Sequence, residues 1–262
     1  MRSALSSAES LLKKGLNELF LEHTTTQVSS FLTYLAELKK WNKAYNLTSL
    51  KTDEDIVVKH FLDSLLYLKA MPEGKISVMD VGSGAGFPGI PIKIMRPDVK
   101  MYLLEPSRKK VGFLRHIIGV LGLDGIEVVE RRVEDAGSLT VDVAVTRALF
   151  NIREFVKKVY SHVRNGGRLI LSKGPRVTEE LKLIKDISYD VLALFLPTMN
   201  IKRFLVIVHQ TKPGTIMGKI RNVEYPCRGI LKDAGICVNA ECRLRKAGCK
   251  GFEGCPGFKA GT

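Results

Sequence analysis

The run ISVMDVGSGAGFPG at residues 76–89 constrains the fold of this chain more than any other segment. An apolar, strand-like stretch ends at the acidic Asp80, and four glycines follow it: Gly82, Gly84, Gly86 and Gly89. Glycine tolerates positive φ and has no Cβ, so such a loop turns tightly and lets a ligand touch the backbone. A strand, a glycine-rich turn and a helix open the nucleotide crevice of an α/β sheet. The run therefore predicts a doubly wound α/β fold that binds a nucleotide-like molecule.

Two glycine motifs overlap in this loop. Gly84, Gly86 and Gly89 form G-x-G-x-x-G, the dinucleotide fingerprint. Asp80 and the glycines that follow it form D-x-G-x-G-x-G, the first motif of S-adenosylmethionine-dependent methyltransferases. A carboxylate at the strand end repels a pyrophosphate but attracts the sulfonium and ammonium groups of S-adenosylmethionine. The charge of Asp80 therefore favours S-adenosylmethionine, with NAD and a glycine turn without a ligand as the alternatives.

Strand-like and helical runs alternate from residue 76 onward, which is typical of a parallel sheet with helices on both faces. The predicted strands occupy residues 76–81, 99–105, 126–130, 141–146, 168–172, 190–196 and 203–209. The predicted helices lie near residues 89–95, 107–122, 151–164 and 177–187. No helix fits between the last two strands, so we expect the last strand to run antiparallel. The pattern predicts a Rossmann-like class I methyltransferase fold with a seven-stranded, mostly parallel sheet.

Three segments of different character divide the chain. Residues 1–70 carry apolar side chains at helical spacing and predict a helical N-terminal cap. Residues 71–212 form the predicted S-adenosylmethionine-dependent methyltransferase domain, and residues 213–262 form a basic, cysteine-rich appendage. No stretch approaches the roughly 18–20 apolar residues that span a bilayer, and the N-terminus lacks a signal-peptide apolar core. We therefore expect a soluble, cytoplasmic protein with no membrane partner.

The chain is strongly basic, with 41 Lys and Arg against 27 Asp and Glu and a formal net charge of +14. The basic side chains cluster in short runs at residues 39–43, 108–110, 131–132 and 202–203. Such clusters neutralise phosphates and give salt-dependent affinity for nucleic acid. The charge therefore favours a nucleic-acid partner, and basicity that serves only solubility is the alternative.

Cysteine is confined to the appendage. The five thiols have the spacing C-x9-C-x4-C-x6-C-x5-C: Cys227, Cys237, Cys242, Cys249 and Cys255. A cytosolic cluster of this kind more often binds metal or acts in redox chemistry than forms a structural disulfide framework. Thiolates suit zinc or an iron–sulfur cluster, and we predict that four of the five bind one of these. Disulfides, a redox role and disorder remain the alternatives.

Charged residues follow several of the predicted strands, where the carboxyl ends of parallel strands line the crevice. Glu105 ends the second strand, at the place where an acidic side chain can hydrogen-bond ribose hydroxyls. Residues 132–135 follow the third strand, and their backbone and carboxylates can contact an adenine edge. Arg147 and Lys173 follow the fourth and fifth strands, so we expect both to reach the crevice. A solvated surface position is the alternative for each.

Two absences narrow the reaction. The α/β core has no cysteine, so it offers no thiol for attack on a pyrimidine C6. The chain reads TRALFN after the fourth strand, where exocyclic-amine methylases carry [DNS]-P-P-[YFW]. A ring nitrogen such as guanine N7 has a free lone pair and no proton, so its methylation needs neither a general base nor a covalent intermediate. Catalysis can then rest on alignment and electrostatics alone.

Seven colinear blocks give the chain a specific family resemblance. They are WNKAYNLTS (41–49), HFLDSL (60–65), DVGSGAGFPGIP (80–91), LLEPSRKKVGFLR (103–115), RVED (132–135), TRA (146–148) and KG (173–174). With these blocks the chain resembles the bacterial 16S rRNA guanine-N7 methyltransferases, the glucose-inhibited division protein B family, over about residues 10–210. The resemblance implies S-adenosylmethionine as methyl donor and guanine N7 in the decoding-region loop of 16S rRNA as acceptor, in the free RNA or in a precursor of the small ribosomal subunit. It does not extend to the cysteine-rich appendage.

The resemblance also implies residue roles. The family's cofactor positions carry over onto Gly82, Phe87, Val133, Glu134 and Arg147. Phe87 is expected to pack on the cofactor, and Val133 with Glu134 to bracket the adenine. We expect no catalytic acid, base or nucleophile, only positioning residues.

A second set of residues becomes a candidate for closing the site or holding RNA. The set contains Trp41, Asn42, Asn46, His60 and Asp63, and Lys173 joins it from its place after the fifth strand. A structural role is the alternative: Trp41 in the core, Asn46 as a helix cap, and a local i,i+3 hydrogen bond between His60 and Asp63.

Two other functions remain open at this stage. One is an NAD-dependent reductase, which Asp80 and the seven predicted strands disfavour. The other is a non-catalytic RNA-binding module of ribosome assembly, which the intact glycine loop disfavours. The sequence gives no indication of an obligate protein partner.

Overall fold

Helices fill most of the first 70 residues. The structure, a computed structural model, describes residues 2–210 except Ala148, Lys185, Asp186 and Asn200, with side chains from Ser6 onward, and the backbone of three short strands beyond. Helix α1 covers Arg2–Glu18 and α2 covers Thr25–Tyr45. A third helical stretch comprises α3 (Asp53–Ile56), a π-helical segment (Val57–Leu62), α4 (Asp63–Leu65) and a 3-10 turn (Leu66–Lys69).

A capping box begins α2. The Thr24 hydroxyl accepts a hydrogen bond from the Gln27 amide at 3.1 Å, and the Gln27 side chain accepts one from the Thr24 amide at 2.9 Å. Two backbone donors that the first helical turn leaves free are thereby satisfied. This end of the helix follows directly from the local sequence.

Strands and helices alternate through the rest of the described chain. The strands are β1 (Ser77–Val81), β2 (Lys100–Leu104), β3 (Ile126–Val129), β4 (Val141–Arg147), β5 (Val163–Lys173), β6 (Tyr189–Phe195) and β7 (Lys202–His209). The helices between them are α5 (Gly89–Met95), α6 (Arg108–Leu121), α7 (Ile152–Val159) and α8 (Val177–Lys182).

One sheet contains all seven strands in the order β3-β2-β1-β4-β5-β7-β6. The first five strands are parallel, and β7 lies antiparallel between β5 and β6. This arrangement confirms the predicted seven strands and the antiparallel last strand. The order reverses at β1, so the crevice lies at the carboxyl ends of β1 and its neighbours.

Strand β5 differs from its prediction, because it begins at Val163 rather than at 168, and α7 is correspondingly shorter. The two glycines at 166 and 167 are typical of a turn, so the predicted strand begins after them. In the structure Gly166 has a φ of 81°, and its amide donates to the Gln210 carbonyl at 2.8 Å. The chain thus remains paired to the sheet through an irregular stretch of register beside Val141 and Val143.

Successive strand residues point to opposite faces of the sheet and enter two separate cores. Val78 packs in a core with the N-terminal helices, α5 and α6, whereas Met79 packs in a core with α7 on the other face. The helices of residues 1–70 therefore share one apolar core with the sheet. No helix in the part of the chain that the structure describes is long and apolar enough to cross a membrane.

Three short strands lie in the predicted appendage. Strand β8 (Asn222–Glu224) pairs parallel with β6, and β9 (Gly235–Cys237) pairs antiparallel with β10 (Phe258–Ala260). Strand β8 adds an eighth member at the free edge of the sheet, which the sequence did not predict, because edge pairing needs only backbone groups.

Candidate active site

The glycine loop connects β1 to α5 at the crevice. Gly82, Gly84 and Gly86 all have positive φ, at 75°, 60° and 98°. The amides of Gly82 and Ser83 donate to the Leu104 carbonyl at 2.9 and 3.0 Å, which fixes the loop to the end of β2. A Cβ on Gly86 would lie 2.6 Å from the Tyr34 hydroxyl, whereas a Cβ on Gly84 would have nothing nearer than 4.0 Å. Packing thus accounts for the glycine at 86, and the open side of the loop lies at Gly84.

Asp80 lies beneath the loop and is completely buried. Its Oδ2 accepts a hydrogen bond from the Gly89 amide at 2.8 Å, but Oδ1 has no hydrogen-bond partner among the described residues. Burial raises the pKa of Asp80 to about 7. A buried carboxylate oxygen without a partner is costly, and a cationic ligand at this position would relieve that cost.

Glu105 joins the glycine loop to the start of α6. The side chain is 4% exposed, and its two carboxylate oxygens accept hydrogen bonds from the Gly84 and Ser107 amides, both at 2.9 Å. Each oxygen retains a second lone pair. Glu105 therefore holds the loop and still has acceptor capacity for a ribose hydroxyl.

Phe87 lies at the centre of an aromatic and cationic cluster. The His60 ring stacks on Phe87, with ring centroids 4.3 Å apart and planes 15° apart. Tyr34 stacks on it as well, at 5.3 Å, and donates its hydroxyl hydrogen to the Ala85 carbonyl. The Arg147 guanidinium carbon lies 5.3 Å from the Phe87 ring centre. Phe87 is therefore placed beside Arg147, and its side chain is only 5% exposed. Its packing on the cofactor stays a prediction.

Arg147, at the end of β4, binds the third helical stretch. Its Nη1 donates to the Lys59 carbonyl at 2.9 Å and to Asp63 Oδ2 at 3.4 Å. In a regular α-helix the Asp63 amide would donate to the Lys59 carbonyl. Within the π-helical segment it donates to His60 and Val58 instead. The π-helical segment thus makes the Lys59 carbonyl available to the guanidinium, and such segments often mark functional sites.

Asp63 bridges two arginines. Its Oδ2 faces Arg147, and its Oδ1 accepts a hydrogen bond from Arg203 Nε at 2.8 Å. The carboxylate is 4% exposed, so both its oxygens are satisfied inside the protein. Arg203 was not a predicted site residue, since the sequence shows it only as part of a basic pair on the last strand.

His60 continues this network toward α2. Arg147 Nη2 lies 2.9 Å from His60 Nδ1, and the Thr48 hydroxyl lies 2.7 Å from His60 Nε2. Burial, together with the Arg147 charge, lowers the pKa of His60 to about 3. The Asn42 carboxamide oxygen accepts a hydrogen bond from the Thr48 amide at 2.8 Å. The motifs at 41–49, 60–65 and 146–148 therefore meet in one hydrogen-bonded chain.

The structural alternatives for the second set have different outcomes. His60 and Asp63 have no direct side-chain hydrogen bond in the described part of the molecule; Arg147 joins them, so the predicted local bond was wrong. Asn46 is the C-terminal cap of α2, with a φ of 50°, and is exposed. Trp41 packs against Phe113 and His116 of α6, at 5.6 and 5.0 Å between ring centroids.

The remaining predicted positions lie on the other side of the crevice. Val133 is buried in a 3-10 turn after β3, and the adjacent Glu134 is exposed. A hydrogen bond from Lys158 lowers the pKa of Glu134. Lys173 donates to the Phe150 carbonyl at 2.6 Å and pairs with Glu180 at 3.0 Å, so its ammonium group is already engaged.

The predicted metal site lies outside the described residues. Of the five cysteines, only Cys237 falls in a described strand, and only its backbone is described. Within the described part of the chain, no group of three His, Cys, Asp or Glu side chains is arranged to hold a metal ion.

The residues around the loop fit S-adenosylmethionine. The donor is cationic, and the free oxygen of Asp80 provides a buried anionic partner. The open side of Gly84 and the adjacent Glu105 carboxylate provide space and an acceptor for a ribose. Asp80 and Glu105 place acidic groups beside the loop, where they would repel a pyrophosphate. The nearby cation, Arg147, is already engaged by the Lys59 carbonyl, His60 and Asp63.

The fold has a counterpart among solved structures. A Methanococcus maripaludis protein assigned to the S-adenosyl-L-methionine-dependent methyltransferases has the same fold, with a TM-score of 0.50 and 14% identity. The alignment covers 70% of this chain and 94% of that protein. The chain therefore has the fold of the class I S-adenosylmethionine-dependent methyltransferases.

The family follows from sequence similarity. Residues 27–203 match the family described as rRNA small subunit methyltransferase G. A Clostridium botulinum (strain Loch Maree) protein of that name is 36% identical over 215 residues, covering 77% of this chain and 90% of the relative. A Neisseria meningitidis serogroup B protein of that name is 38% identical over 199 residues, covering 75% of this chain and 96% of the relative. The chain belongs to the rRNA small subunit methyltransferase G family, which confirms the resemblance drawn from its motifs.

Proposed function

We propose that this enzyme transfers a methyl group from S-adenosylmethionine to N7 of a guanine in the decoding-region loop of 16S rRNA. The observation that carries the donor assignment is the buried Oδ1 of Asp80, which has no hydrogen-bond partner in the described chain and lies under a glycine loop that is open at Gly84. The relatives, which are named as rRNA small subunit methyltransferases, support small-subunit RNA as the acceptor. Guanine N7 and the decoding-region loop are proposed from the motif resemblance.

The proposed donor-binding residues lie in the glycine loop and at the carboxyl ends of β1 to β4. They are Asp80, Gly82, Gly84, Gly86, Phe87, Glu105, Val133, Glu134 and Arg147. When bound, S-adenosylmethionine would supply the electrophilic methyl group that its sulfonium sulfur carries. Asp80 places a negative charge near the cationic end, and Glu105 accepts hydrogen bonds while it keeps the loop in shape. Phe87 and Arg147 form the wall that faces the N-terminal helices.

The chemistry at N7 asks little of the protein beyond alignment. The guanine N7 lone pair needs no base to free it, so none of these residues has to remove a proton. The neutral His60 and the paired Asp63 hold Arg147 in place, and we assign them positioning roles. Trp41, Asn42, Asn46 and Lys173 are proposed to close the site or to contact RNA.

The proposed substrate is 16S rRNA, free or within a precursor of the small ribosomal subunit. The net charge of +14 supports a polyanionic partner. We place the enzyme in the cytoplasm, where this RNA is assembled, and the proposal includes no obligate protein partner.

The appendage carries a separate proposal. We propose that four of its five thiols bind zinc or an iron–sulfur cluster, because all the cysteines fall within residues 227–255. Elemental analysis and an absorption spectrum of protein purified without oxygen test this. Stoichiometric zinc or iron is expected, and five titratable thiols with no metal would contradict the proposal.

Calorimetry combined with methyl transfer tests the main proposal. S-adenosylmethionine and S-adenosylhomocysteine are expected to bind, and NAD is not. Labelled methyl groups are expected in isolated small ribosomal subunits or their RNA, with large subunits as the matched control. Binding of NAD alone would favour a reductase, and donor binding without transfer to any RNA would exclude the proposed acceptor.

A further inference from the structure

The last turn of α2 presents an aromatic pair outside the crevice. Tyr45 is 46% exposed, and its ring centroid lies 5.3 Å from that of Trp41. Trp41 is held in turn by Phe113 and His116 of α6. A large, exposed aromatic side chain is thus supported on a rigid base.

Cationic side chains lie in the first turn of α6, beside the last turn of α2. Thr25 and Thr33 of α2 line a groove with Val120 near the end of α6, whereas Trp41 contacts Phe113. The two helices therefore run antiparallel. The turn that follows Trp41 consequently lies beside the first turn of α6, which begins at Arg108 and contains Lys109 and Lys110.

Three lysines of this region are available for a ligand. Lys43, Lys109 and Lys110 have no ion-pair or hydrogen-bond partner within residues that the structure describes. The Arg108 side chain is 94% exposed and lies 3.5 Å from Glu130. Glu37, the acidic residue nearest to Trp41 on α2, is already engaged by His116 at 2.5 Å and by Lys40 at 3.8 Å.

We propose that this surface, the α2–α6 ridge (Trp41, Lys43, Tyr45, Arg108, Lys109 and Lys110), binds unpaired RNA next to the target guanine. In this inference, which rests on the proposed function, a base stacks on Tyr45 while the lysines neutralise neighbouring phosphates. Exposed aromatic side chains beside a basic groove are the usual means of holding single-stranded nucleic acid. Unpaired bases are also the part of RNA that proteins read through stacking.

The ridge lies close enough to the crevice to hold the same RNA segment. Helix α6 starts three residues after Glu105, which binds the glycine loop. A continuous aromatic path leads from Trp41 through Phe113 and Tyr34 to Phe87, with centroid distances of 5.6, 6.2 and 5.3 Å. A nucleotide on Tyr45 would therefore be near, but outside, the methyl-transfer site.

Steady-state methyl transfer with small-subunit RNA tests the ridge through Tyr45→Ala and Tyr45→Phe. Stacking on an aromatic ring contributes about ten-fold or more to affinity for a base. Tyr45→Ala is therefore expected to raise KM for RNA roughly ten-fold, with kcat and the Kd for S-adenosylmethionine unchanged. Tyr45→Phe retains the ring and is expected to behave as the wild type.

Phe20→Ala is the matched control. Phe20 is 50% exposed, and α2, whose 21 residues span about 30 Å, separates it from Tyr45. This variant is expected to leave KM unchanged. The double variant Lys109→Ala with Lys110→Ala gives a second test that does not touch the aromatic pair. It is expected to raise KM and to reduce the slope of log affinity against log salt by about 2.

The outcomes separate this inference from the proposed function. A wild-type enzyme that methylates small-subunit RNA, with Tyr45→Ala and the double lysine variant both at wild-type KM, overturns the ridge alone. A Tyr45→Ala effect on kcat or on donor affinity, with KM unchanged, also overturns it, because that pattern indicates damage to the crevice. A wild-type enzyme that methylates no RNA overturns both proposals.

Discussion

Arg147 Nη2 donates a hydrogen bond to Nδ1 of His60 at 2.9 Å. An arginine can only donate, so Nδ1 must be the acceptor and the remaining ring proton must lie on Nε2. That proton points to the Thr48 hydroxyl oxygen, which lies 2.7 Å from Nε2. The imidazole is therefore neutral and serves as a fixed spacer between Arg147 and the segment that follows α2.

Replacement of Arg147 tests whether this geometry matters for the reaction. Arg147→Ala leaves the buried Asp63 with Arg203 alone, and loss of such a hydrogen bond is expected to lower the free energy of unfolding by about 1–3 kcal/mol. Both Arg147→Ala and Arg147→Lys are expected to lose methyl transfer. Lysine does not substitute for Arg147, because an ammonium cannot reproduce the planar fork of donors. Urea unfolding and methyl transfer, measured together, check both statements.

Arg164→Ala provides the control for that pair. Arg164 also pairs with an aspartate, Asp142, at 2.8 Å, but it is half-exposed and lies at the amino end of β5. Its loss should leave methyl transfer unchanged. Full activity of Arg147→Lys would show that the bridging geometry is dispensable.

The partly buried His60 predicts a loss of stability in acid. Its pKa of about 3 in the folded state lies below its ordinary value of 6.5, so the unfolded chain binds more protons between these values. Its contribution to stability is therefore present above pH 6.5 and is lost as the pH falls toward 3. The free energy of unfolding is expected to change with pH by at most about 1.4 kcal/mol per pH unit through this group.

His60→Gln should flatten this part of the curve of unfolding free energy against pH. Asp80 acts in the opposite sense, because its raised pKa gives stability that is lost as the pH rises from about 4 to about 7. The effect of His60 is isolated by comparing the Asp80→Asn variant with the double variant that also carries His60→Gln. An unchanged slope in that comparison would mean that His60 is not held neutral.

Asp80 predicts a pH dependence of donor binding. Its pKa of about 7 means that the carboxyl group is largely protonated at pH 6 and is then a poorer partner for a cation. Affinity for S-adenosylmethionine is expected to fall by up to about eight-fold between pH 7.5 and pH 6, the limit for one proton with this pKa. Calorimetry at both values should show this fall in the wild type and a weak, flat response in Asp80→Asn. Equal slopes in the two proteins would remove Asp80 from the donor site.

Gly82→Ala separates backbone strain from ligand binding. Gly82 has a φ of 75°, and a Cβ there would lie 2.3 Å from Cδ2 of the half-exposed Leu149, which can move aside. The substitution is expected to cost about 1–2 kcal/mol of stability and to abolish donor binding.

Gly74→Ala is the matched control, with a φ of 81° and nothing within 4 Å of its Cβ. Gly74 lies before β1, at the amino end of the strands and away from the crevice. The Gly74→Ala variant should therefore carry the same backbone strain without any loss of donor binding. Thermal melting and calorimetry compare the two variants. Donor binding retained in Gly82→Ala would place the ligand away from this part of the loop.

The sequence predicts most of the fold because its signals are local. The alternation of strands and helices, the Thr24 cap and the positive-φ glycines each depend on neighbouring residues alone. Asp80 is informative for the same reason, since it directly precedes the glycine loop. The structure adds a reason for Gly86 that the motif does not give, namely its contact with Tyr34.

The parts that sequence reasoning missed are the long-range partners. Arg203 meets Asp63 across 140 residues, and Tyr34 meets Ala85 across 51. No periodicity or spacing within one segment can indicate such contacts. The hydrogen bond predicted between His60 and Asp63 was wrong for a related reason. Arg147 approaches from strand β4 and donates to both side chains.

The most direct test of the central claim is to locate the methyl group in RNA. Small-subunit RNA is incubated with S-adenosylmethionine and either the wild type or Gly82→Ala, treated with borohydride and aniline, and examined by primer extension. Because this treatment cleaves the chain at N7-methylated guanine, we predict a single new stop in the decoding-region loop of 16S rRNA with the wild type only. Label incorporated at a pyrimidine or an exocyclic amine, without such a stop, would contradict the account.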